Sequence, residues 1–125
     1  MPAHKIFHMS EMPHREAPDG IVSVPLVNKT TCGANITTGT VTFPAGFAVG
    51  THRHNCNEMV MVLSGDCAVV VDGQTTPLKQ FDVVHIDEGT WHSFVSTGST
   101  PFTILWVYDC EIVERIFAEP GSTPS

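Results

Sequence analysis

The 125-residue chain is poor in charge. Charged residues make up 15% of it, well under the roughly 25% of an average domain. Lys and Arg together number six against thirteen acids, giving −7, and no basic run occurs anywhere. That balance excludes a protein whose task is to neutralise phosphates on nucleic acid or an anionic membrane. Long apolar runs are also missing. Nothing approaches the 18 or so residues of a membrane span, and Met1 to Ser10 holds no apolar stretch long enough for a secretory signal. A soluble, cytoplasmic protein is expected. The four cysteines, Cys32, Cys56, Cys67 and Cys110, show no C-x-x-C spacing, so reduced thiols are expected. Of these, Cys56 reads as a turn residue and the other three as small apolar fillers.

What is present in excess is histidine, with seven copies against six Lys and Arg combined. Residues 1–20 are polar, rich in proline and histidine, and without helical or strand period, which reads as an arm carrying His4, His8 and His14. A single domain over 21–119 follows, and 120–125 reads as a frayed tail. From Gly20 onward, short β-branched and aromatic runs recur about every ten residues with turn residues between them. The runs are Ile21–Val27, Asn35–Phe43, Met59–Leu63, Cys67–Val71, Phe81–Ile86, Trp91–Ser96 and Phe102–Tyr108. Asp72-Gly73 is the pair a two-residue hairpin turn requires, because both positions want φ > 0. Many short strands with regular turns imply an all-β sandwich or barrel. Ile112, Val113, Ile116 and Phe117 fall at helical spacing, so a short C-terminal helix is expected before Pro120.

Three histidines group with one glutamate. Along a strand, residues two apart share a face at about 6.6 Å, so His52 and His54 can converge on one ion while Arg53 turns away. Had the chain stayed extended, Glu58 would lie about 20 Å from His52. Ligand bonds are roughly 2 Å long, so the chain must turn within Asn55-Cys56-Asn57, where asparagine tolerates left-handed φ.

Gly46, five residues, His52-x-His54, three residues, Glu58, six residues and Gly65 resembles the first sequence motif of the cupin superfamily at every defining position. The second motif is present in altered form. Phe81-Asp82 stands for its Gly-Asp, Asp87 for its Pro, Gly89 and His92 match, and Ser96 replaces its Asn. The stretch from His52 to Glu58 is also similar to that of plant auxin-binding proteins, which are zinc cupins. The resemblance spans roughly residues 21–110 and implies a double-stranded β-helix, the cupin jelly-roll barrel. It further implies that His52, His54, Glu58 and His92 hold one divalent transition metal. With three imidazoles, one carboxylate and no thiolate, Fe(II), Mn, Ni, Co and Zn are all suited, Fe(II) foremost. Glu58 is the ligand best able to act as a base.

Strand parity with these ligands turns Val60, Val62, Phe94 and Ser96 inward as a substrate pocket. None is cationic, so an uncharged or aromatic oxygen-bearing ligand is expected. Met59, Met61 and Leu63 then face outward, which points to a homodimer. An oxygenase on such a small molecule is the leading expectation. A redox-neutral lyase, isomerase or cyclase and a non-catalytic binding module stand beside it.

Overall fold

In a computed structural model of the protein, which describes residues 3–118, eleven strands make two antiparallel sheets. In chain order they are β1 (Arg15–Glu16), β2 (Val22–Pro25), β3 (Thr37–Phe43), β4 (His52–His54), β5 (Glu58–Ser64), β6 (Cys67–Val71), β7 (Gln74–Leu78), β8 (Val83–Ile86), β9 (His92–Ser96), β10 (Phe102–Tyr108) and β11 (Arg115–Phe117). One sheet runs β1-β2-β3-β10-β5-β8 and the other β11-β4-β9-β6-β7. The fold is a double-stranded β-helix, with the core between the sheets.

The alternation that builds this core is plainest in β5, where Glu58, Val60 and Val62 are buried and Met59, Met61 and Leu63 are half-buried on the outer face. Val60 and Val62 meet Phe43, Phe102 and Ile104 of their own sheet and Val69 and Phe94 of the other. Burying each such side chain contributes about 1.5–3 kcal/mol. The β6–β7 hairpin turns on Asp72 and Gly73, with φ of 50° and 75°, as that dipeptide requires. Gly65 holds the β5–β6 turn at φ 79°, where a Cβ would overlap the Pro101 carbonyl oxygen and come within 2.6 Å of Phe102 Cα. Only glycine fits there.

The arm contributes structure of its own. A 3-10 turn at Met9–Glu11 leads to β1, which pairs with β2 and so extends the six-stranded sheet. A single-turn helix, α1 (Lys29–Cys32), is capped by Asn28 and ends on Gly33 at φ 71°.

The expected C-terminal helix is replaced by a strand. β11 pairs antiparallel with β4, placing Arg115 opposite His54 and Phe117 opposite His52. The spacing of Ile112, Val113, Ile116 and Phe117 fits a helix. In a window this short, however, β-branched residues beside an open sheet edge take the ladder instead. Residues 120–125, read as a frayed tail, lie outside the described residues.

The thiols also differ from expectation. Cys56 and Cys110 form a disulfide. Cys32 is exposed, and only Cys67 is a buried filler. The runs read from the sequence place Cys110, just past the run ending at Tyr108, and the turn carrying Cys56 separately, and nothing in their spacing says that they adjoin.

Candidate metal centre

β4 supplies His52 and His54, and β9 begins at His92, directly opposite His52 in the ladder. Glu58 comes from the other sheet, as the first residue of β5. The chain reverses between His54 and Glu58 at Asn55-Cys56-Asn57, and both asparagines fasten that reversal to the segment after β10. Asn55 Oδ1 accepts from the Glu114 backbone N–H at 2.7 Å, and Asn57 Nδ2 donates to Asp109 Oδ2 at 2.8 Å. Asn57 Oδ1 also accepts from the Glu88 N–H, which draws in the loop leading to His92.

All four side chains are buried, with His52 5%, His54 4%, Glu58 4% and His92 1% exposed. Each histidine has its Nδ1 set against a backbone carbonyl: Gly50 at 2.7 Å, Glu114 at 3.1 Å and Thr90 at 2.8 Å for His52, His54 and His92. A carbonyl only accepts, so each Nδ1 carries the proton and each Nε2 presents a lone pair inward. These second-sphere bonds are what a metal-ligating imidazole needs. The potential ligand atoms of the three rings lie within 4.8 Å of one another.

Glu58 Oε1 completes the cluster, 3.2 Å from His92 Nε2 and 3.6 Å from His54 Nε2. Neither Glu58 Oε1 nor His92 Nε2 has a hydrogen-bond partner. Two acceptors facing each other in a buried site repel unless a cation or a proton lies between them. Burial holds His52 down to about 4 and also lowers His54, which keeps both rings in the neutral, ligating form. The nearby Glu58 charge only partly offsets the effect at His54. The residues therefore fit a divalent metal ion bound through three nitrogens and one oxygen.

The cluster opens into a cavity of about 440 Å³. Of the side chains expected to line a pocket, Phe94 does so. Val60 and Val62 are fully buried in the packed core, and the Ser96 hydroxyl turns to the Gly98 carbonyl. They share the inward parity of the ligands but lie farther along their strands, where the two sheets close on each other. The remaining wall comes from Phe43, Phe47, Ile104 and, unforeseen, Tyr108, Arg115 and Phe117. The cavity without a cation is thus corrected, because β11 brings Arg115 in. Tyr108, the only tyrosine of the chain, places its hydroxyl 3.2 Å from His54 Nε2. Burial and the Glu58 charge push its phenol up, so it stays protonated.

The other candidates lie apart. Arg53 turns outward, its guanidinium 4.7 Å from the Trp91 ring centre. His85 is exposed on β8, beside Asp87 at 3.5 Å. Asp82 organises a turn, accepting from the Lys79 N–H.

The family model described as Cupin domain matches residues 39–108. The chain belongs to the cupin family. This cupin is similar in structure to a sugar phosphate isomerase of the cupin superfamily from Silicibacter pomeroyi DSS-3, with a TM-score of 0.78 and 21% identity over 92% of this chain and 82% of that one. It is also similar to the polyketide cyclase RemF from Streptomyces resistomycificus, with a TM-score of 0.76 and 20% identity over 94% and 88% of the two chains. A third similar structure is salicylate 1,2-dioxygenase from Pseudoaminobacter salicylatoxidans, with a TM-score of 0.70 and 23% identity over 88% of the cupin and 31% of the enzyme. No curated protein sequence matches. Among the described residues no helix is long and apolar enough to cross a membrane.

Proposed function

We propose that this cupin is a metal-dependent oxygenase in which His52, His54, Glu58 and His92 hold one divalent transition metal ion, Fe(II) by preference. The reading rests on one observation. Three inward Nε2 lone pairs and an unpartnered carboxylate oxygen converge beside a largely apolar cavity that His52 and Glu58 line. A metal bound there supplies Lewis acidity and, for a redox-active ion, dioxygen activation.

The chain's own groups do the rest. Phe43, Phe47, Phe94 and Ile104 shape the cavity for an apolar or aromatic body and exclude water from the floor. Glu58 Oε1 is placed to accept a proton from a substrate hydroxyl or activated C–H group, since no protein donor occupies it. The Tyr108 hydroxyl is placed to donate to an oxygen bound beside His54.

This Glu58 and Tyr108 pair also favours a second reading, a redox-neutral lyase, isomerase or cyclase that shuttles a proton. Native metal content, followed by oxygen uptake with a panel of diketones, flavonols and catechols, separates the two. Turnover that proceeds equally well under anaerobic conditions eliminates the oxygenase and supports the second reading. Ligand returned unaltered identifies a binding module.

We also propose a homodimer. Met59, Met61 and Leu63 on β5 and Leu105 and Val107 on β10 form a half-buried outer face, continued by the exposed Val83 on the edge strand β8. A second subunit would cover it, and sedimentation at micromolar concentration gives the mass that decides.

A further inference from the structure

Side chains of residues paired across an antiparallel ladder stand on the same face of the sheet. Arg115 pairs with His54, whose ring points into the barrel, so Arg115 stands on that same face, exposed at the rim of the cavity. It lines the cavity together with His52, Glu58 and Tyr108. Phe117, two residues on, packs at 5.5 Å from the His52 ring. Arg115 forms no ion pair among the described residues. Its guanidinium reaches the Tyr108 hydroxyl, and with no carboxylate of its own the rest of its fork of donors is left for a ligand.

We propose that Arg115 is the anion-binding residue of this cavity and that the substrate is a small carboxylic acid with an apolar body. The proposal rests on the cavity being the substrate site, and it narrows the class of substrate. The acids in the lining, Glu58 at the floor and Asp19 at the mouth, set its charge. Asp19 is exposed and accepts from the Ile21 N–H. One cation against two carboxylates suits a single negative charge better than the double charge of a phosphate monoester. A planar carboxylate matches the guanidinium fork bidentately, while the phenylalanine walls take the rest of the molecule.

The test compares matched pairs on the metal-loaded protein: benzoate with benzamide, and 3-phenylpropionate with its primary amide, by calorimetry. The acids are expected to bind at least ten-fold tighter than the amides. Arg115→Met is expected to erase that preference while amide affinity, metal content and the circular dichroism spectrum stay unchanged. Arg115→Lys is expected to keep part of it, as a point charge without the fork. Equal affinity for acid and amide in the unsubstituted protein overturns the proposal and needs no variant to fold. A preference that survives in Arg115→Met also overturns it, because the carboxylate is then drawn to the metal. Failure of the oxygenase reading would appear separately, in oxygen uptake, and would leave these affinities as they are.

Discussion

Cys56 and Cys110 stand with their Cα atoms 6.0 Å apart and are joined across 54 residues of chain. One sits in the reversal between two metal-ligand candidates, the other just after β10, so the disulfide clamps the ligand turn to the segment leading into β11. That segment carries the Glu114 carbonyl, which orients His54, and the Arg115 guanidinium. A crosslink closing a loop of this size contributes about 2–4 kcal/mol. Reductant is therefore expected to lower the Tm of the protein by several degrees. Cys110→Ser is expected to show the lower Tm from the start and no further response to reductant. A Tm equal in all four conditions would mean that the bond carries no stability.

The four thiols are expected to divide by position. Cys67 is fully buried, and burial, with Asp66 beside it, pushes its thiol up to about 11. Cys32 is exposed. Titration with a chromogenic disulfide reagent should count one thiol in the native protein, which is Cys32. Unfolding without reductant should raise the count to two, and reduction followed by unfolding to four. A count of four on unfolding without reductant would show the clamp open.

Replacement of His54 by Ala is expected to remove the metal and leave the barrel folded, because the hydrophobic core between the sheets does not include it. Metal per chain, measured after dialysis against a weak chelator, should fall by more than ten-fold. Glu58→Gln keeps the shape but halves the acceptor capacity and removes the charge, so a smaller loss of affinity is expected. Metal should raise the Tm of the unsubstituted protein and leave that of His54→Ala unmoved. Full occupancy in His54→Ala would refute the ligand set.

The clustering of the candidate ligands was legible in the sequence because spacing in a β domain encodes faces. His52 and His54 two apart must share one, and the Gly46-to-Gly65 pattern is long enough to name the family. Glu58 could be brought back only by a turn, and Asn55-Cys56-Asn57 supplied it. What stayed hidden depends on partners far along the chain. Arg115 reaches the cavity only because β11 adds to the edge of β4, and no local pattern announces a pairing 61 residues apart (Arg115 with His54). Tyr108 lies in a strand foreseen to the residue, but its inward face follows from its pairing with Glu58. Val60 and Val62 show the opposite limit: parity says which way a side chain points, and not how deep along the barrel it sits.

The metal-free protein should lose stability in mild acid. Burial holds folded His52 to about 4, against about 6.5 in an unfolded chain. Between those values the unfolded state binds more protons, so stability rises with pH there. It should be constant above about 6.5, decline as pH falls and level off near 4. One such histidine accounts for up to about 3 kcal/mol across the window, and His54, lowered in the same sense, adds to the slope. Urea midpoints of chelator-treated protein at pH 7.5, 6 and 5 measure this. His52→Gln should flatten the profile, and an unchanged slope would place the proton uptake elsewhere.

Phe81 occupies the position where the second cupin motif has glycine, and it does so at φ 71°. The turn is kept, with the Phe81 N–H donating to the Val62 carbonyl and the Asp82 N–H to that of Lys79. A side chain in left-handed backbone is unfavourable by roughly 1–2 kcal/mol. Phe81 is 63% exposed and recovers little of that by packing. Phe81→Gly is therefore expected to stabilise the protein by about 0.5–1 kcal/mol, after the greater freedom of glycine in the unfolded chain is subtracted. Chemical denaturation reads the difference at constant m-value. Destabilisation instead would mean that the Phe81 ring is covered in solution, and because β8 is the edge of the six-stranded sheet, the cover would be a second subunit.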